Sequence, residues 1–398
     1  MINDLTNYFY SLESHGIKLG LSRTHKILEV CDNPHTKIDS IQVIGTNGKG
    51  STCAMIANIL KHAGYKVGLY TSPHLNKLNE RIRINGQCID DNSILSFIKK
   101  YDPYIREFSI SFFEVMTALA TWYFDKNKVD ISILETGLGG RLDSVSACNS
   151  KILIFTEISL DHQHILGHSI EKIAQEKAGA IQKKSICLSA IQQDIVTDIL
   201  NQQAEQFNIK IEYIKSTENH PISLNGKHQL INQTLAVACI KHLKNLSVHN
   251  SDIRLGLSNL KWPGRVQKIF SKPSIFFDVA HNETSFLSLY NFVKNFNVKG
   301  KLILILALQK NKNISSIIKY LVKIFNIIIL TQTNTRNYLP AKELQQVFRG
   351  HKTTIIKDPY VAVEKSKQYN QDDCVMIAGS HYLGPMISNI FKISFEKI

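Results

Sequence analysis

The run from Ile41 to Thr52, IQVIGTNGKGST, joins a short apolar strand to a turn holding three glycines, a lysine and three hydroxyl residues. Gly45, Gly48 and Gly50 permit tight turns that aim successive N–H groups at anionic oxygens. Lys49 adds a positive charge, and a helix starting near Ser51 presents the positive end of its dipole. The lysine lies between two glycines and Gly45 stands only three residues before Gly48, so the spacing departs from the common G-x-x-x-x-G-K-[ST] form. A glycine turn alone equally fits a plain strand-to-helix connection. The strand before it and the helical pattern of residues 52–62 after it favour a nucleotide phosphate site.

Other segments leave predicted strands carrying reactive groups. In LETGLGGRLD, residues 134–143, Glu135 stands where the chain leaves the sheet. A carboxylate beside a phosphate loop suits Mg²⁺, which takes hard oxygen ligands, and the alternative is a solvated acid in a glycine turn. TEISLDHQH, residues 156–164, offers Asp161, His162 and His164, although a lone histidine is more often a satisfied surface or core residue than a ligand. Lys177 falls in a helical pattern, IEKIAQEKAG, and by default is one more solvated charge. FDVAHN, residues 277–282, ends a strand with Asp278, His281 and an amide. Arg265, after Pro263 and Gly264, has the fork that fits a phosphate or carboxylate, and a structural ion pair explains it equally well.

Strands that alternate with helices must position these groups. Apolar runs at residues 41–45, 66–70, 129–135 and 152–156 alternate with helical patterns at 52–62 and 112–124, predicting a mostly parallel α/β sheet. Ligands then belong at the carboxyl ends of the strands, where Gly45, Thr71, Glu135 and Glu157 fall. Two prolines and a glycine interrupt the pattern at residues 262–273. The expected division is a domain at 1–265, a linker at 266–273 and a smaller α/β domain at 274–398, with strands at 275–279, 302–308, 327–331 and 374–378.

With 398 residues, 43% of them hydrophobic, the chain has enough apolar material for two cores. It has no apolar run of spanning length, and its start, MINDL, has neither the basic nor the apolar part of a leader, so a cytoplasmic protein is expected with no membrane partner. The seven cysteines are scattered and form no C-x-x-C pair, which argues for free thiols over a disulfide framework or structural zinc. The formal charge of +14 fits nucleic acid or an anionic small substrate. The lysines read as spread along the chain without a dense block, which disfavours nucleic acid, and a lysine-rich composition bias is the bland explanation.

Together these segments resemble the folylpolyglutamate synthase and dihydrofolate synthase family, a branch of the Mur ligases, over nearly the whole chain. The matching signatures are GTNGKGS (45–51), YTSPHL (70–75), ERIR (80–83), SFFE (111–114), ETGLGGRLD (135–143), LDH (160–162), EKAG (176–179), GKHQLIN (226–232), PGR (263–265) and DVAHN (278–282). Thr71 and Thr136 stand where many relatives have serine and valine, and neither change removes a needed group. The 44 residues before Gly45 are too few for the uridine-nucleotide domain of peptidoglycan ligases, which points to the folate branch.

The resemblance implies a fold: a P-loop Mur-ligase-like central domain with a mostly parallel sheet, plus a smaller Rossmann-like C-terminal glutamate-ligase domain. It also implies roles. Thr46, Asn47, Gly48, Lys49, Gly50 and Ser51 match the ATP loop, with Asn232, Arg265 and Asp278 as further ATP contacts. Ser72, Glu135 and His162 match ligands of two magnesium ions, and Lys177 matches a lysine carbamylated to serve as a metal carboxylate. Ser111, Phe112, Phe113 and Glu114, with Leu142, Asp143 and Ser144, match the pterin side of the substrate pocket, with a core role for the two aromatics as the alternative. His281 is a candidate for amine deprotonation. The activity implied is ATP-dependent joining of L-glutamate to dihydropteroate and to reduced folates, by a monomer whose second domain closes on ATP. A dedicated polyglutamate synthase, or a P-loop kinase or NTPase, are the alternatives.

Overall fold

The computed structural model describes residues 5–13, 20–215, 220–335 and 337–398; Met1 to Asp4, part of the stretch from which the lack of a leader was read, lie outside them. Among the described residues no helix is long and apolar enough to cross a membrane. The chain divides into two compact units, the first comprising residues 1–222, 230–260 and 396–398, the second 223–229 and 261–395.

The first unit is built on eight strands: β1 (Ser40–Ile44), β2 (Val67–Tyr70), β3 (Ile82–Ile84), β4 (Gln87–Cys88), β5 (Ile131–Glu135), β6 (Ile152–Phe155), β7 (Ile186–Ala190) and β8 (Ile211–Ile214), in the order β4-β3-β2-β5-β1-β6-β7-β8. β2, β5, β1, β6, β7 and β8 run parallel, while β3 and β4 form an antiparallel hairpin on one edge. Every residue of β1 and β5 is buried, as expected of central parallel strands covered on both faces. β1 pairs with β5 through Val43 and Glu135 and with β6 through Ile44 and Phe155, so the three chain exits after these strands share one edge.

The helix that follows the glycine turn runs Lys49–His62 and begins three residues earlier than its apolar periodicity predicted. Gly48 explains the early start, because its left-handed φ of +87° reverses the chain so that Lys49 can already be helical. A second helix, Asn250–Ser258, crosses the Lys49–His62 helix at Gly256, where the Asn58 amide nitrogen donates to the Gly256 carbonyl at 2.6 Å.

The second unit carries β9 (Gln267–Phe270), β10 (Ser274–Phe277), β11 (Leu302–Leu306), β12 (Ile327–Leu330), β13 (Thr354–Ile355) and β14 (Cys374–Ala378), in the order β13-β12-β11-β14-β10-β9. All but β9 are parallel to their neighbours. The expected linker at 266–273 is therefore a correction: residues 267–270 form the antiparallel edge strand β9, paired with β10, and Pro263, Gly264 and Arg265 also belong to the second unit. A short half-exposed strand flanked by prolines lacks the apolar run that identifies its parallel neighbours.

Charge divides unevenly between the units. Residues 223–229 and 261–395 hold 20 of the 47 lysines and arginines but only 7 of the 33 acids, so 13 of the 14 excess positive charges lie in the second unit. A uniform lysine bias does not produce this, since in the first unit basic and acidic residues almost balance.

A Cβ on Gly256 would lie 2.5 Å from the Ile59 Cα and 2.8 Å from its nitrogen, both backbone atoms that cannot turn aside. Gly256→Ala is expected to lower stability by about 1–3 kcal/mol, the usual cost of overpacking, read from the urea midpoint.

Candidate active site

The loop after β1 is held by backbone and hydroxyl groups of the loop after β6. Thr46 N and Asn47 N both donate to the Glu157 carbonyl, at 2.8 and 3.4 Å, and Thr46 Oγ1 accepts from Ser159 N at 3.0 Å while donating to its carbonyl at 2.9 Å. The amides of Thr46 and Asn47 thus serve the scaffold, and the amides that begin the helix after Gly48 have no intrahelical acceptor. Two glycines are required by close approach. A Cβ at Gly45 would collide with Thr156 Oγ1, and one at Gly48 with Asn232 Oδ1, which places the buried Asn232 directly on the turn.

Two ammonium groups meet at one carbonyl. Lys49 Nζ donates to Gly45 O at 3.3 Å and Thr46 O at 3.1 Å, and Lys177 Nζ donates to the same Gly45 O at 2.6 Å. Lys177 lies in the helix Ile170–Ala178 and is buried, so the solvated charge suggested by helical spacing is not what the fold makes of it. Burial first, and then the charge of Lys49, push its pKa down to about 7, with Asp161 and Asp143 acting in the opposite sense. The hydroxyls of Ser51 and Thr52, at the start of the same helix, are buried with no hydrogen-bond partner among the described residues. Unpaired donors beside two cations suit a ligand rich in anionic oxygens.

Glu135, buried at the end of β5, accepts from Ser72 N at 3.0 Å, bringing these two expected metal ligands together. His162 is half-buried, left-handed at φ +50°, and its N–H donates to Asp161 Oδ1 at 2.7 Å. Among the described residues no three His, Cys, Asp or Glu side chains converge as a ready metal cage. Asp143 shapes the intervening turn, accepting from Leu138 N at 2.8 Å and Val145 N at 3.0 Å; burial raises its pKa above the ordinary carboxylate value. Gly140 fits because a Cβ there would lie 2.7 Å from the Lys177 carbonyl.

The two segments expected at a pterin pocket do meet, since Ser144 Oγ donates to Phe113 O at 3.2 Å and bonds Thr117 Oγ1 at 2.7 Å. Their polar groups are largely engaged locally. Glu114 accepts from Ser111 N at 2.7 Å as a capping box of the helix Phe112–Lys126 and pairs with Arg23 at 3.1 Å. Phe112 is buried, edge-on to Phe9 and Phe113, with Arg81 lying 5.0 Å over its ring, which is the core role kept as the alternative. Phe113 and Leu142 remain half-exposed.

Within the second unit, Asp278 accepts from Val266 N and Ala280 N, both at 2.7 Å; burial raises its pKa, opposed by Arg265. His281 Nδ1 lies 2.8 Å from Val279 O. Because a carbonyl only accepts, Nδ1 carries the proton and the neutral ring keeps its lone pair on Nε2. Two histidines were not singled out from sequence. His381 follows β14 and faces His281 at 5.4 Å between ring centres, a placement readable from the Gly-Ser-His run at a strand end. His228 is pushed down to about 4 by burial and by Arg265.

Lys177 supplies a prediction in buffer stripped of CO₂. Its folded pKa lies below the unfolded value of about 10.4, so between about pH 7 and pH 10 the unfolded chain binds more protons and stability rises with pH. In Lys177→Met this rise is expected to shrink by the titration of about one proton, measured as urea midpoints across that window.

Comparison with known proteins places this geometry. The Mur ligase middle domain matches residues 43–219 and the Mur ligase glutamate ligase domain residues 264–381. The dihydrofolate synthase/folylpolyglutamate synthase of Bacillus subtilis (strain 168) is 32% identical over 98% of this chain and 98% of its own. Escherichia coli FolC, solved in complex with DHPP and ADP, is 26% identical with a TM-score of 0.87, covering 98% of this chain and 97% of that one. The bifunctional folylpolyglutamate synthase/dihydrofolate synthase of Yersinia pestis, solved with AMPPNP and Mn ion, is 25% identical with a TM-score of 0.87, covering 97% of each chain. With a glycine turn, a buried lysine and a strand-end glutamate at the matching sheet edge, the chain belongs to the dihydrofolate synthase/folylpolyglutamate synthase family of Mur ligases.

Proposed function

We propose that the protein is an ATP-dependent amide ligase, acting as a cytoplasmic monomer, that joins L-glutamate to dihydropteroate and to the glutamate tail of reduced folates. The meeting of Lys49 and Lys177 at the Gly45 carbonyl carries the reading, because a cation at a helix N-terminus calls for a polyanion and a buried amine beside it calls for neutralisation. In this scheme the first unit serves ATP and the pterin, and the second unit serves glutamate ligation. The γ-phosphoryl group passes from ATP to the substrate carboxylate, giving an acyl phosphate and ADP. The glutamate amine then attacks the acyl carbon, phosphate leaves, and the amine proton is lost to a base.

Each residue has a part in that sequence. Lys49 neutralises charge on the transferring phosphoryl group, over a cradle of residues 46–51, with Asn232, Arg265 and Asp278 as further ATP contacts. Ser72, Glu135 and His162 would hold two magnesium ions together with a carbamylated Lys177, whose pKa of about 7 supplies the neutral amine that CO₂ modifies. The ions would supply Lewis-acid neutralisation of phosphate charge. Phe113 and Leu142 offer half-exposed apolar surface to the pterin, while Ser111, Phe112, Glu114, Asp143 and Ser144 hold that surface in place. His281 Nε2 is the base for the amine.

The test is phosphate release from ATP and Mg²⁺ with L-glutamate, given dihydropteroate and tetrahydrofolate in turn. Both substrates are expected to drive release with matching amide product. Activity with tetrahydrofolate alone would make the protein a dedicated polyglutamate synthase, and ATP hydrolysis indifferent to glutamate would make it an NTPase. Lys49→Ala should lose about 10²–10³-fold in turnover at unchanged melting temperature. The basic second unit adds a salt signature: kcat/KM should fall with ionic strength more steeply as the folate tail gains glutamates, and least for dihydropteroate with its single carboxylate. Equal slopes for all tail lengths would remove the charge from substrate recruitment.

A further inference from the structure

The last three residues of the chain return to the first unit and close on the β3–β4 hairpin. Gln87 and Lys397 form an antiparallel bridge, Ile398 N donates to Gly86 O at 3.3 Å, and Lys61 Nζ donates to Ile398 O at 3.4 Å. The Glu396 carbonyl accepts from Arg83 Nη1 at 2.7 Å and from Cys88 Sγ at 3.1 Å. Gly86 suits this closure, since a Cβ there would collide with Ile398 O.

Arg83 continues the connection inward. It is only 2% exposed, and its Nε donates to the Glu80 carbonyl at 3.1 Å. The Glu80 carboxylate in turn accepts from Leu75 N at 2.8 Å, Asn76 N at 3.0 Å and Lys77 N at 2.7 Å, gathering three successive amides of the loop that begins at Thr71 and Ser72. The loop's other end is fixed by Thr71 N on Arg81 O at 2.9 Å and by Ser72 N on Glu135. A second route is direct, because Lys77 Nζ pairs with the Glu396 carboxylate at 2.5 Å. The chain end and the Ser72 loop are thus joined twice, once through the buried Arg83–Glu80 step and once at the surface.

We propose that Glu396–Ile398 form a clasp that holds the Ser72–Lys77 loop in register, with Arg83 as its positioning residue. Arginine suits the position because its planar guanidinium holds the carbonyls of Glu80, Gly86 and Glu396 in fixed directions, and a single rotating ammonium does not reproduce that fork. The clasp also covers the open edge of β4, whose unpaired backbone groups would otherwise face water. The consequence for metal binding rests on the proposed role of Ser72 and Glu135; the clasp itself does not.

The experiment is amide hydrogen exchange on the ligand-free protein, comparing the natural chain with a variant lacking Glu396–Ile398 and with Arg83→Lys. Both variants are expected to exchange about ten-fold or more faster at Leu75, Asn76 and Lys77, while β1 and β5 keep their protection. Acceleration confined to residues 84–88 would reduce the clasp to an edge cover and overturn the proposal. If the deletion loosens the whole molecule, Arg83→Lys, which keeps a buried cation and the full chain, decides between the two outcomes. A parallel titration should show the magnesium concentration for half-maximal turnover rising about ten-fold in both variants, as for lost partners of metal ligands. Faster exchange without that rise would uphold the clasp and count against Ser72 and Glu135 as metal ligands.

Discussion

The site depends on a repulsion built into the end of β1. Lys49 and Lys177 come from different helices yet share the Gly45 carbonyl, and the charge of Lys49 makes that of Lys177 harder to keep. The carbonyls of Gly45 and Thr46 and the carboxylates of Asp143 and Asp161 act in the opposite sense. An anion relieves the conflict by pairing with Lys49. The proposed carbamylation of Lys177 would relieve it by putting a carboxylate in place of a buried amine. Both solutions turn an unfavourable charge arrangement into binding energy, and both need the two amines to be held where they are.

Holding them there is mostly a matter of glycine. Gly45 admits the Thr156 side chain, Gly48 admits Asn232, and Gly140 lets its turn approach the backbone of the helix that carries Lys177. These close approaches, together with the Thr46 hydroxyl on Ser159, fix pieces of chain distant in sequence to one another. Ser51 and Thr52 keep hydrogen-bonding capacity for a ligand.

The parallel strands were readable because buried central strands are continuous apolar runs, and the strand-end position of Glu135 followed from them. Other features lay beyond one-dimensional reading. The burial of Lys177 depends on the approach of Gly140 and Gly45 from elsewhere in the chain, so helical spacing alone left the lysine in solvent. Glu114 matches a substrate-pocket motif, yet its spacing from Ser111 is also that of a capping box, and in the fold the cap and Arg23 engage its carboxylate. β9 is not legible because its sequence, QKIF, does not alternate apolar with polar residues, although its burial alternates in the fold. The charge asymmetry was present in the composition, but it emerges only when residues are grouped by unit.

That asymmetry separates two uses of charge. In the first unit basic and acidic residues nearly balance, and the cations that matter are individually fixed: Lys49 and Lys177 on a carbonyl, Arg83 between two carbonyls, Arg81 on His74 at 2.9 Å and over Phe112. Such groups act over hydrogen-bonding distance and set geometry. In the second unit the excess comes from a scarcity of acids, and most of its lysines are exposed, among them Lys299, Lys301, Lys310, Lys323 and Lys352. Exposed charges of one sign specify no single contact, but over a Debye length of about 8 Å they raise the local concentration of polyanions. A ligase whose product is also its next, more negative substrate would gain from that division, because the attraction grows with each added carboxylate while the catalytic geometry need not change.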